Sequence, residues 1–282
     1  MTIKKRVELL ESKLKQKTIL PKIPSDFVDF NKLIGLPKSK ISPFDEMPIF
    51  DYELEMISNI QSHKYYALNK ARGIGATEII LRLILHKAIL NKMNARKFLI
   101  VAGTRSELAR DHLRRIADLC KNILHMIDVK ISDDYIRINK SKIIAIPANP
   151  AAIRGYENVE MIFADEAAHW NLLDDDSVLE AIEPHRTKSD ANIVIVSTPN
   201  GRRGFFAKIF HNQETKYYTD VIPWYVAENL ISKEEVEKVR KEDYYRYEQE
   251  YNCKFLTTKY SAFPDEVLDI LQQNSEEYQL SD

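Results

Sequence analysis

The sequence has few cysteines and few glycines. Only two of its 282 residues are cysteines, Cys120 and Cys253, and their spacing matches neither a disulfide framework nor a metal-binding motif. Such cysteine usage is typical of a protein that works in a reducing cytosol. Seven glycines make low-complexity linkers unexpected. A chain of this length that is 44% hydrophobic and 29% charged is predicted to fold around a substantial buried core.

Long apolar runs are absent as well. No stretch approaches the roughly 20 apolar residues that a membrane-spanning helix needs, and residues 1–17 do not have the apolar run of a secretory signal. The sequence therefore predicts no membrane partner. The formal net charge is −1, without an excess of basic residues. This balance does not exclude nucleic acid, because a protein that binds and releases DNA repeatedly needs only local basic patches.

The chain divides into a leading segment, one main domain and a tail. Apolar residues in 1–17 recur at alternating spacings of four and three, which predicts a short amphipathic helix. The proline- and lysine-rich stretch 21–48 predicts an extended arm. We assign residues 1–42 to the N-terminal helix and arm, 43–264 to the main domain and 265–282 to a C-terminal tail.

Strands and helices alternate in the main domain. Buried strands are predicted at Tyr65–Leu68, Phe98–Ala102, Val159–Ala164 and Ile193–Ser197, helices at Thr77–Leu90, Leu108–Leu124 and Ser232–Tyr251, and two or three antiparallel strands within Val129–Ile146. This alternation predicts an α/β fold with a mostly parallel central sheet flanked by helices and a small antiparallel strand insertion. Ligands in such sheets bind at the carboxyl ends of the strands.

A glycine-bearing loop joins the first of these strands to the first helix. In NKARGIGATE, residues 69–78, the order of strand, loop and helix lets backbone N–H groups and the helix dipole face a phosphate. Set against the pattern G-x-x-x-x-G-K-[ST], Gly75 takes the second glycine and Thr77 takes the hydroxyl that holds Mg²⁺. The loop therefore predicts a phosphate site, with a plain surface turn as the alternative interpretation.

The lysine of that pattern is displaced. Ala76 stands where the lysine is expected, and Lys70 stands where the first glycine is expected. The chemistry needs a cation near the β- and γ-phosphates of a nucleotide, wherever in the loop it comes from. Either Lys70 or Arg72 can supply it from the other end of the loop.

Two consecutive carboxylates end the strand at 159–164. Asp165 and Glu166 follow the apolar run VEMIFA. In P-loop ATPases the first carboxylate at this place holds Mg²⁺ and the second activates the attacking water. The buried strand fixes both at the carboxyl edge of the sheet, opposite the phosphate loop. A strand that ends in a polar turn is the alternative interpretation.

Small and polar residues end the strand at 193–197 in the sequence IVIVSTPNG. Ser197, Thr198 and Asn200 can point at a bound phosphate or its water from the same sheet edge. A strand followed by a Pro-Asn-Gly turn is the alternative.

These motifs together resemble a known family. KARGIGAT, IPANPAAIRGYENVEMIFADEAAHW, IEPHRTKSDANIVIVSTPNGRRGFF and YEQEYNCKF occur in this order. The set is similar to the ATPase domain of terminase large subunits, the motors that pump DNA into viral capsids, over about residues 43–263. The resemblance implies a P-loop NTPase fold of the RecA-like, ASCE type. It also implies ATP and Mg²⁺ as cofactors and ATP hydrolysis that translocates double-stranded DNA into a procapsid.

The resemblance implies roles for individual residues. The phosphate loop, or Walker A element, would comprise Lys70, Ala71, Arg72, Gly73, Ile74, Gly75, Ala76 and Thr77, in the variant with the lysine at its beginning. In the Walker B element Asp165 would hold Mg²⁺ together with Thr77, and Glu166 would be the catalytic base. The coupling motif that senses the γ-phosphate would comprise Ser197, Thr198 and Asn200. Arg154 resembles the arginine finger that some terminases offer to a neighbouring subunit, with an ordinary surface arginine as the alternative.

The implied partners are double-stranded DNA, a capsid portal protein, a small terminase subunit and further copies of the chain in a ring, in the cytoplasm of the infected host cell. Arg110, Arg114 and Arg115 lie on one predicted helix, and Arg202 and Arg203 follow the coupling motif. Both groups can contact DNA phosphates, which would make binding weak and salt-sensitive. Solvated surface charge is the alternative for each of them.

Two departures from the family leave alternatives open. An aromatic-Gln pair upstream of the loop often reads adenine, but here Tyr52 is followed by Glu53, with Phe50 or Tyr52 available to stack on a base. Members usually continue into an RNase H-like nuclease, whereas about 19 residues follow Phe263, so we expect no DNA cleavage by this chain. The alternative functions are another, helicase-like DNA-dependent ATPase and a nucleotide-binding assembly module that docks a capsid portal.

Overall fold

The computed structural model describes residues 22–38, 45–91, 94–170 and 175–257. The predicted helix at 1–17 and the predicted tail at 265–282 lie outside the described residues. No helix in the described ranges is long and apolar enough to cross a membrane.

One mixed sheet organises the described part of the chain. Its strands are β1 (Tyr65–Lys70), β2 (Lys97–Ala102), β3 (Val129–Ile131), β4 (Tyr135–Ile138), β5 (Ser141–Ile146), β6 (Val159–Asp165), β7 (Asn192–Ser197) and β8 (Tyr218–Ile222). Their spatial order is β3-β4-β5-β2-β6-β7-β1-β8. The strands from β5 to β8 in that order pair in parallel, while β3 and β4 add antiparallel pairs at one end. The mostly parallel α/β sheet with a small antiparallel addition is confirmed.

Helices connect the strands. They are α1 (Phe27–Ile34), α2 (Asp51–Ser62), α3 (Ala76–Leu90), α4 (Ser106–Cys120), α5 (Pro150–Arg154), α6 (Asp176–Ile182), α7 (Pro184–Ser189), α8 (Gly204–His211), α9 (Lys233–Glu242) and α10 (Tyr244–Glu250). Single 3₁₀ turns cover Lys121–Ile123, Ala167–His169 and Trp224–Ala227. Parallel neighbours need such crossovers, because a tight hairpin cannot join them.

Two apolar cores lie on the two faces of the sheet. Side chains of α1 to α4 form the first core, with Phe30, Met56 and Ile79 almost fully buried. Side chains of α5, α6 and α8 form the second, around Val178 and Phe205. Strands covered on both faces are apolar at most positions, which is why β6 and β7 contain the buried apolar stretches 161–164 and 193–196. Each fully buried aliphatic or aromatic side chain contributes about 1.5–3 kcal/mol.

The stretch predicted as an extended arm contains a helix, so that prediction was wrong for α1. The carboxylate of Asp26 caps the helix by accepting the N–H three residues on, at 2.9 Å. Phe30 is fully buried, and the Arg82 guanidinium of α3 donates to the side chain of Asn31 at 2.9 Å and to the carbonyl of Gly35 at 2.7 Å. The prolines flank the helix and do not interrupt it.

Two other elements differ from the sequence prediction. The single helix predicted over 232–251 is two helices, α9 and α10, because Asp243 leaves the helical conformation at φ −149° and its side chain accepts the N–H of Arg246. The edge strand β8 was not predicted, because most of its side chains are exposed and it lacks an apolar run. The predicted antiparallel strands are β3, β4 and β5, and β5 also pairs in parallel with β2.

Both cysteines are buried free thiols. Burial raises the pKa of Cys120 and of Cys253 to about 12, so both stay protonated at neutral pH. Neither thiol forms a disulfide, in agreement with the spacing argument.

Candidate nucleotide-binding site

Three neighbouring strands end at the same sheet edge and bring the predicted motifs together. The order β6-β7-β1 places Asp165, Ser197 and Lys70 at three adjacent strand ends. In the parallel register Asn69 lies beside Ser197, and Asp165 lies beside Val196. Residues that are far apart in the sequence therefore share one site.

The loop between β1 and α3 is wound as a phosphate cradle. Gly73 and Gly75 have φ angles of 90° and 82°, in the left-handed region that glycine adopts at little cost. Gly75 is also the N-cap of the 15-residue helix α3, and a Cβ atom there would lie 3.0 Å from Oε1 of Glu53. The first N–H groups of a helix have no partner within it and face a bound anion favourably. The loop therefore fits a nucleotide phosphate.

The first half of the loop forms hydrogen bonds with other parts of the chain. The N–H groups of Ala71 and Arg72 each donate at 2.8 Å, to the carbonyls of Ile222 and Glu250. These contacts fasten the loop to β8 and α10. The backbone N–H groups at the beginning of α3 are therefore the ones we expect to bind a phosphate.

Lys70 is the cation that faces the site. Its side chain is 7% exposed, and its Nζ lies 2.8 Å from Oε1 of Glu166. The guanidinium of Arg72 is 64% exposed and lies 3.4 Å from the carboxylate of Glu250. Of the two residues left open by the sequence, the structure favours Lys70 as the phosphate-binding cation.

A hydroxyl and a carboxylate converge at the beginning of α3. Oγ1 of Thr77 lies 3.2 Å from both carboxylate oxygens of Asp165, which is buried. Hard oxygen ligands of this kind fit Mg²⁺, which usually takes its remaining ligands from water and substrate phosphates. Within the described ranges no three His, Cys, Asp or Glu side chains cluster as a metal site.

His112 contacts this pair and was missed by sequence analysis. Its Nε2 lies 2.8 Å from Oδ2 of Asp165, across 53 positions of sequence, and its ring stacks on Phe163 with centroids 6.3 Å apart. The indole of Trp170 donates to the backbone carbonyl of Asp165 at 3.0 Å. The Trp170 side chain is buried beside the site. No local pattern in the sequence marks His112, because its partner lies on a distant strand.

Glu166 sits in a strained backbone conformation. Its φ of 50° lies in the left-handed region, which costs a non-glycine residue on the order of 1 kcal/mol. Its Oε1 accepts a hydrogen bond from the Lys70 ammonium. Its Oε2 lies 3.5 Å from the backbone nitrogen of Thr198 and from Oγ of Ser197. The sharp turn thus aims the carboxylate at the loop and at the end of β7.

The end of β7 is bonded to the turn that follows Glu166. Oγ of Ser197 accepts the N–H of Ala168 at 3.1 Å, and Nδ2 of Asn200 donates to the carbonyl of Ala168 at 3.0 Å. Nε2 of His169 lies 2.7 Å from Oγ1 of Thr198. All three predicted coupling residues therefore lie in one hydrogen-bonded unit with the acidic strand end.

Arg154 is placed differently. It is exposed at the last position of α5, and it has no hydrogen bond or ion pair with any residue in the described ranges. The structure does not bring it to Lys70 or Glu166 of its own chain.

The predicted DNA-contacting arginines of α4 are in ion pairs within the chain. Arg110 pairs with Asp134 at 2.7 Å, Arg115 pairs with Glu78 at 2.6 Å, and Arg114 pairs with Asp111. Their charges are partly neutralised by these carboxylates. The interpretation of these residues as surface charge gains support from the pairing.

A cavity of about 360 Å³ opens beside the phosphate loop. Phe50, Glu53 and Leu230 line it together with Gly73 and Gly75. Its place next to the loop and its mostly apolar wall suit the nucleoside end of a nucleotide.

Two residues of the upstream segment support this cavity. The hydroxyl of Tyr52 donates to the carbonyl of Ile74 at 2.7 Å, so Tyr52 holds the loop, and its ring stacks on that of Phe50. Oε2 of Glu53 accepts the N–H of Phe50 at 3.0 Å. Burial raises the pKa of Glu53 to about 7, with smaller opposing effects from that hydrogen bond and from Arg82. Phe50 is therefore the aromatic side chain left to face a base.

Comparison with known protein families gives a match. The family described as terminase large subunit, T4likevirus-type, N-terminal, matches residues 67–270. Comparison with curated proteins gives no match.

Three solved structures share the fold. The Thermus phage P74-26 large terminase ATPase domain matches with a TM-score of 0.60 at 18% identity, covering 81% of this chain and 98% of that chain. The HK97 bacteriophage large terminase matches with a TM-score of 0.64 at 14% identity, covering 80% and 54%. The large terminase from a thermophilic bacteriophage, in complex with ATP-gamma-S, matches with a TM-score of 0.55 at 16% identity, covering 73% and 52%. This chain thus spans about half the length of the last two.

The structural matches identify the fold as that of RecA-like P-loop ATPase domains, with helices on both faces of the mixed sheet. The family match covers well over half of the chain and includes the phosphate loop, the acidic strand end and the coupling strand. The chain therefore belongs to the terminase large subunits, and the match is to the N-terminal part of that family.

Proposed function

We propose that the chain hydrolyses ATP with Mg²⁺ and uses the energy to translocate double-stranded DNA into a procapsid. The observation that carries the proposal is the convergence of Lys70, Thr77, Asp165 and Glu166 at one sheet edge. Phosphoryl transfer depends almost entirely on positioning and on charge stabilisation. A cation, an oxygen pair for a metal and a free carboxylate are the groups that this chemistry needs.

The residues divide the chemistry between them. Thr77 and Asp165 would hold Mg²⁺, which when bound supplies positive charge at the β- and γ-phosphates. In the structure Lys70 and Glu166 neutralise each other. When the ammonium of Lys70 turns to a phosphate, the carboxylate of Glu166 is left free to accept a proton from the attacking water.

The contacts at the end of β7 link the chemistry to motion. Glu166 is close to the N–H of Thr198, and the turn after it is bonded to Ser197 and Asn200. A shift of Glu166 toward water would pull on this unit and so on β7. We assign the sensing of the γ-phosphate to these three residues on that basis.

The partners follow from the family and from the surface of the chain. Arg154 is exposed and unpaired within the described ranges, which suits an arginine that completes the site of a neighbouring subunit. We propose a ring of copies that binds double-stranded DNA, a capsid portal protein and a small terminase subunit. The work would take place in the cytoplasm of an infected host cell.

Steady-state ATP hydrolysis measured over a range of protein concentrations tests the proposal, with Glu166→Gln as the control. We expect a rate per subunit that rises with protein concentration and is lost in the control, because the site is completed between subunits. A wild-type rate equal to that of the control, also with DNA added, contradicts the proposal. That result favours a nucleotide-binding module that docks a portal.

A further inference from the structure

His112 is a partly buried polar residue that the proposed chemistry does not use. It lies on α4, and its side chain is 14% exposed while that of Asp165 is 5% exposed. Its Nε2 is 2.8 Å from Oδ2 of Asp165, and its Nδ1 is buried without a partner in the described part of the chain. Burying a polar ring against the sheet has a desolvation cost, which the contact with Asp165 offsets.

The proton of the ring belongs on Nε2. A carboxylate oxygen accepts hydrogen bonds, so a ring nitrogen 2.8 Å from it must carry the proton and donate. Nε2–H therefore donates to Oδ2 of Asp165, while Nδ1 has no partner in the described part of the chain. A donor at this short distance fixes the rotation of the carboxylate.

The ring is itself held in place. Phe163 stands two positions before Asp165 on β6, so both side chains lie on the same face of the strand. The ring of His112 stacks on Phe163 at an interplanar angle of 21° while its edge contacts the carboxylate. One helix residue thus contacts two positions of the same strand face.

We propose that His112 is a positioning residue for the metal ligand Asp165. Oγ1 of Thr77 lies at the same distance of 3.2 Å from both carboxylate oxygens and does not distinguish them. His112 engages one oxygen closely, at Oδ2, and leaves Oδ1 for a cation. Partners that hold a metal-binding carboxylate from behind typically change metal affinity or activity by about 10–100-fold when removed. This inference rests on the proposed function of Asp165.

Mn²⁺ binding in the presence of a non-hydrolysable ATP analogue tests the proposal, with free Mn²⁺ followed by electron paramagnetic resonance. Three variants of His112 are compared: His112→Leu removes the donor, His112→Asn keeps an amide that is too short, and His112→Gln places an N–H near the position of Nε2. His86→Gln is the matched control, because His86 is a buried histidine whose Nε2 is bonded to a distant backbone carbonyl, that of Pro24. Thermal unfolding of each variant verifies that it is folded.

The expected result is a loss of Mn²⁺ affinity of about 10-fold or more in His112→Leu and His112→Asn, with His112→Gln close to wild type. His86→Gln should bind like the wild type. If His112→Leu does not fold, the difference between the Asn and Gln variants decides. Wild-type affinity in His112→Leu, or in His112→Asn where the Leu variant is unfolded, overturns the inference alone. Absence of nucleotide-dependent Mn²⁺ binding in the wild type overturns the proposed function and the inference with it.

Discussion

Lys70 and Glu166 have opposite exposures within one ion pair. The lysine side chain is 7% exposed and the glutamate side chain is 46% exposed, so the lysine is enclosed by protein while the carboxylate faces solvent. In the proposed mechanism this enclosed cation at the first position of the loop replaces the later lysine of the common pattern, because the chemistry needs positive charge near the phosphates, whatever its place in the sequence.

Lys70→Ala is predicted to lower kcat by about 10²–10³-fold, the usual effect of removing one positioned group that stabilises the transition state. Arg72→Ala is the matched control, because Arg72 is in the same loop but its side chain is 64% exposed and turned to Glu250. Steady-state ATP hydrolysis by both variants checks the assignment. A larger loss in Arg72→Ala than in Lys70→Ala would move the role to Arg72.

Glu53 gives the stability of the domain a pH dependence. Its pKa is raised from 4.5 to about 7 by burial, so the folded state binds a proton more tightly than the unfolded state. The corresponding stability is fully present below about pH 4.5 and is lost as pH rises through about 7. Glu53→Gln removes this loss and keeps an acceptor for the N–H of Phe50.

Denaturant unfolding of Glu53→Gln and wild type at pH 5 and pH 8 measures the effect. The variant should be more stable than wild type by roughly 1–3 kcal/mol at pH 8, and this advantage should shrink toward pH 5. Glu55→Gln on the same helix is the control, because Glu55 is exposed and should show no such pattern. A wild type that gains stability over the variant between pH 5 and pH 8 would contradict the burial argument.

At the scale of residues, the sequence identifies those whose proposed role follows from their position next to a strand end or a helix start. Thr77 and Asp165 could be predicted to lie at the same sheet edge, because Thr77 is in the first turn of α3 and Asp165 is the last residue of β6. His112 could not be predicted, since its significance comes from a contact across 53 positions. The choice between Lys70 and Arg72 also needed coordinates, because it depends on which way each side chain leaves the loop.

At the scale of elements, α1 ties the leading segment to the domain. Its apolar face enters the same core as α2 and α3, and Arg82 of α3 is bonded to it at two places. The helix therefore contributes to the stability of the ATPase domain and supports α3, whose first turn begins the phosphate site.

Phe30→Ala is predicted to destabilise the whole domain by about 3–5 kcal/mol, the usual cost of deleting a buried aromatic side chain. Lys32→Ala on the same helix is the control, because the Lys32 side chain is 62% exposed and its loss should cost less than about 0.5 kcal/mol. Free energies of unfolding from denaturant titrations compare the two. Equal free energies of unfolding for the two variants would mean that α1 does not contribute to the stability of the domain.

Buried elements were predicted better than exposed ones. The strands β2, β6 and β7 contain the buried apolar stretches 98–102, 161–164 and 193–196, which are typical of strands covered on both faces. The edge strand β8 is mostly exposed and has no such signal. The helix break at Asp243 depends on one backbone conformation, and the charged sequence around it fits a continuous helix equally well.

At the scale of the whole molecule, Arg154 lies apart from the other residues of the proposed site. Lys70, Thr77, Asp165 and Glu166 meet within the chain, whereas Arg154 is exposed on α5 and joins none of them. If this arginine acts on a neighbouring subunit, hydrolysis becomes a property of the assembly.

Mixing two inactive variants distinguishes action within a chain from action between chains. Arg154→Ala keeps Glu166, and Glu166→Gln keeps Arg154, so a mixed ring contains intact sites at the interfaces where the two complement each other. We expect each variant alone to lose hydrolysis by at least about 10²-fold and the mixture to recover a measurable part of the wild-type rate. A mixture no more active than its components would contradict action between subunits.

The family and the fold class could be predicted from the order of the motifs along the chain. Four short segments in a fixed order restrict the topology, because the strands among them must end at the same sheet edge. The leading helix α1 and the pairing of β5 depend on long-range packing, which motif order does not contain.

A crystal structure of Glu166→Gln with ATP and Mg²⁺ tests the proposed nucleotide site most directly. We expect the phosphates at the beginning of α3, with the Lys70 ammonium within hydrogen-bond distance of a phosphate oxygen and Mg²⁺ between Thr77 and Asp165. A structure with the nucleotide elsewhere, or with Lys70 still turned to position 166 and Arg72 on the phosphates, would contradict it.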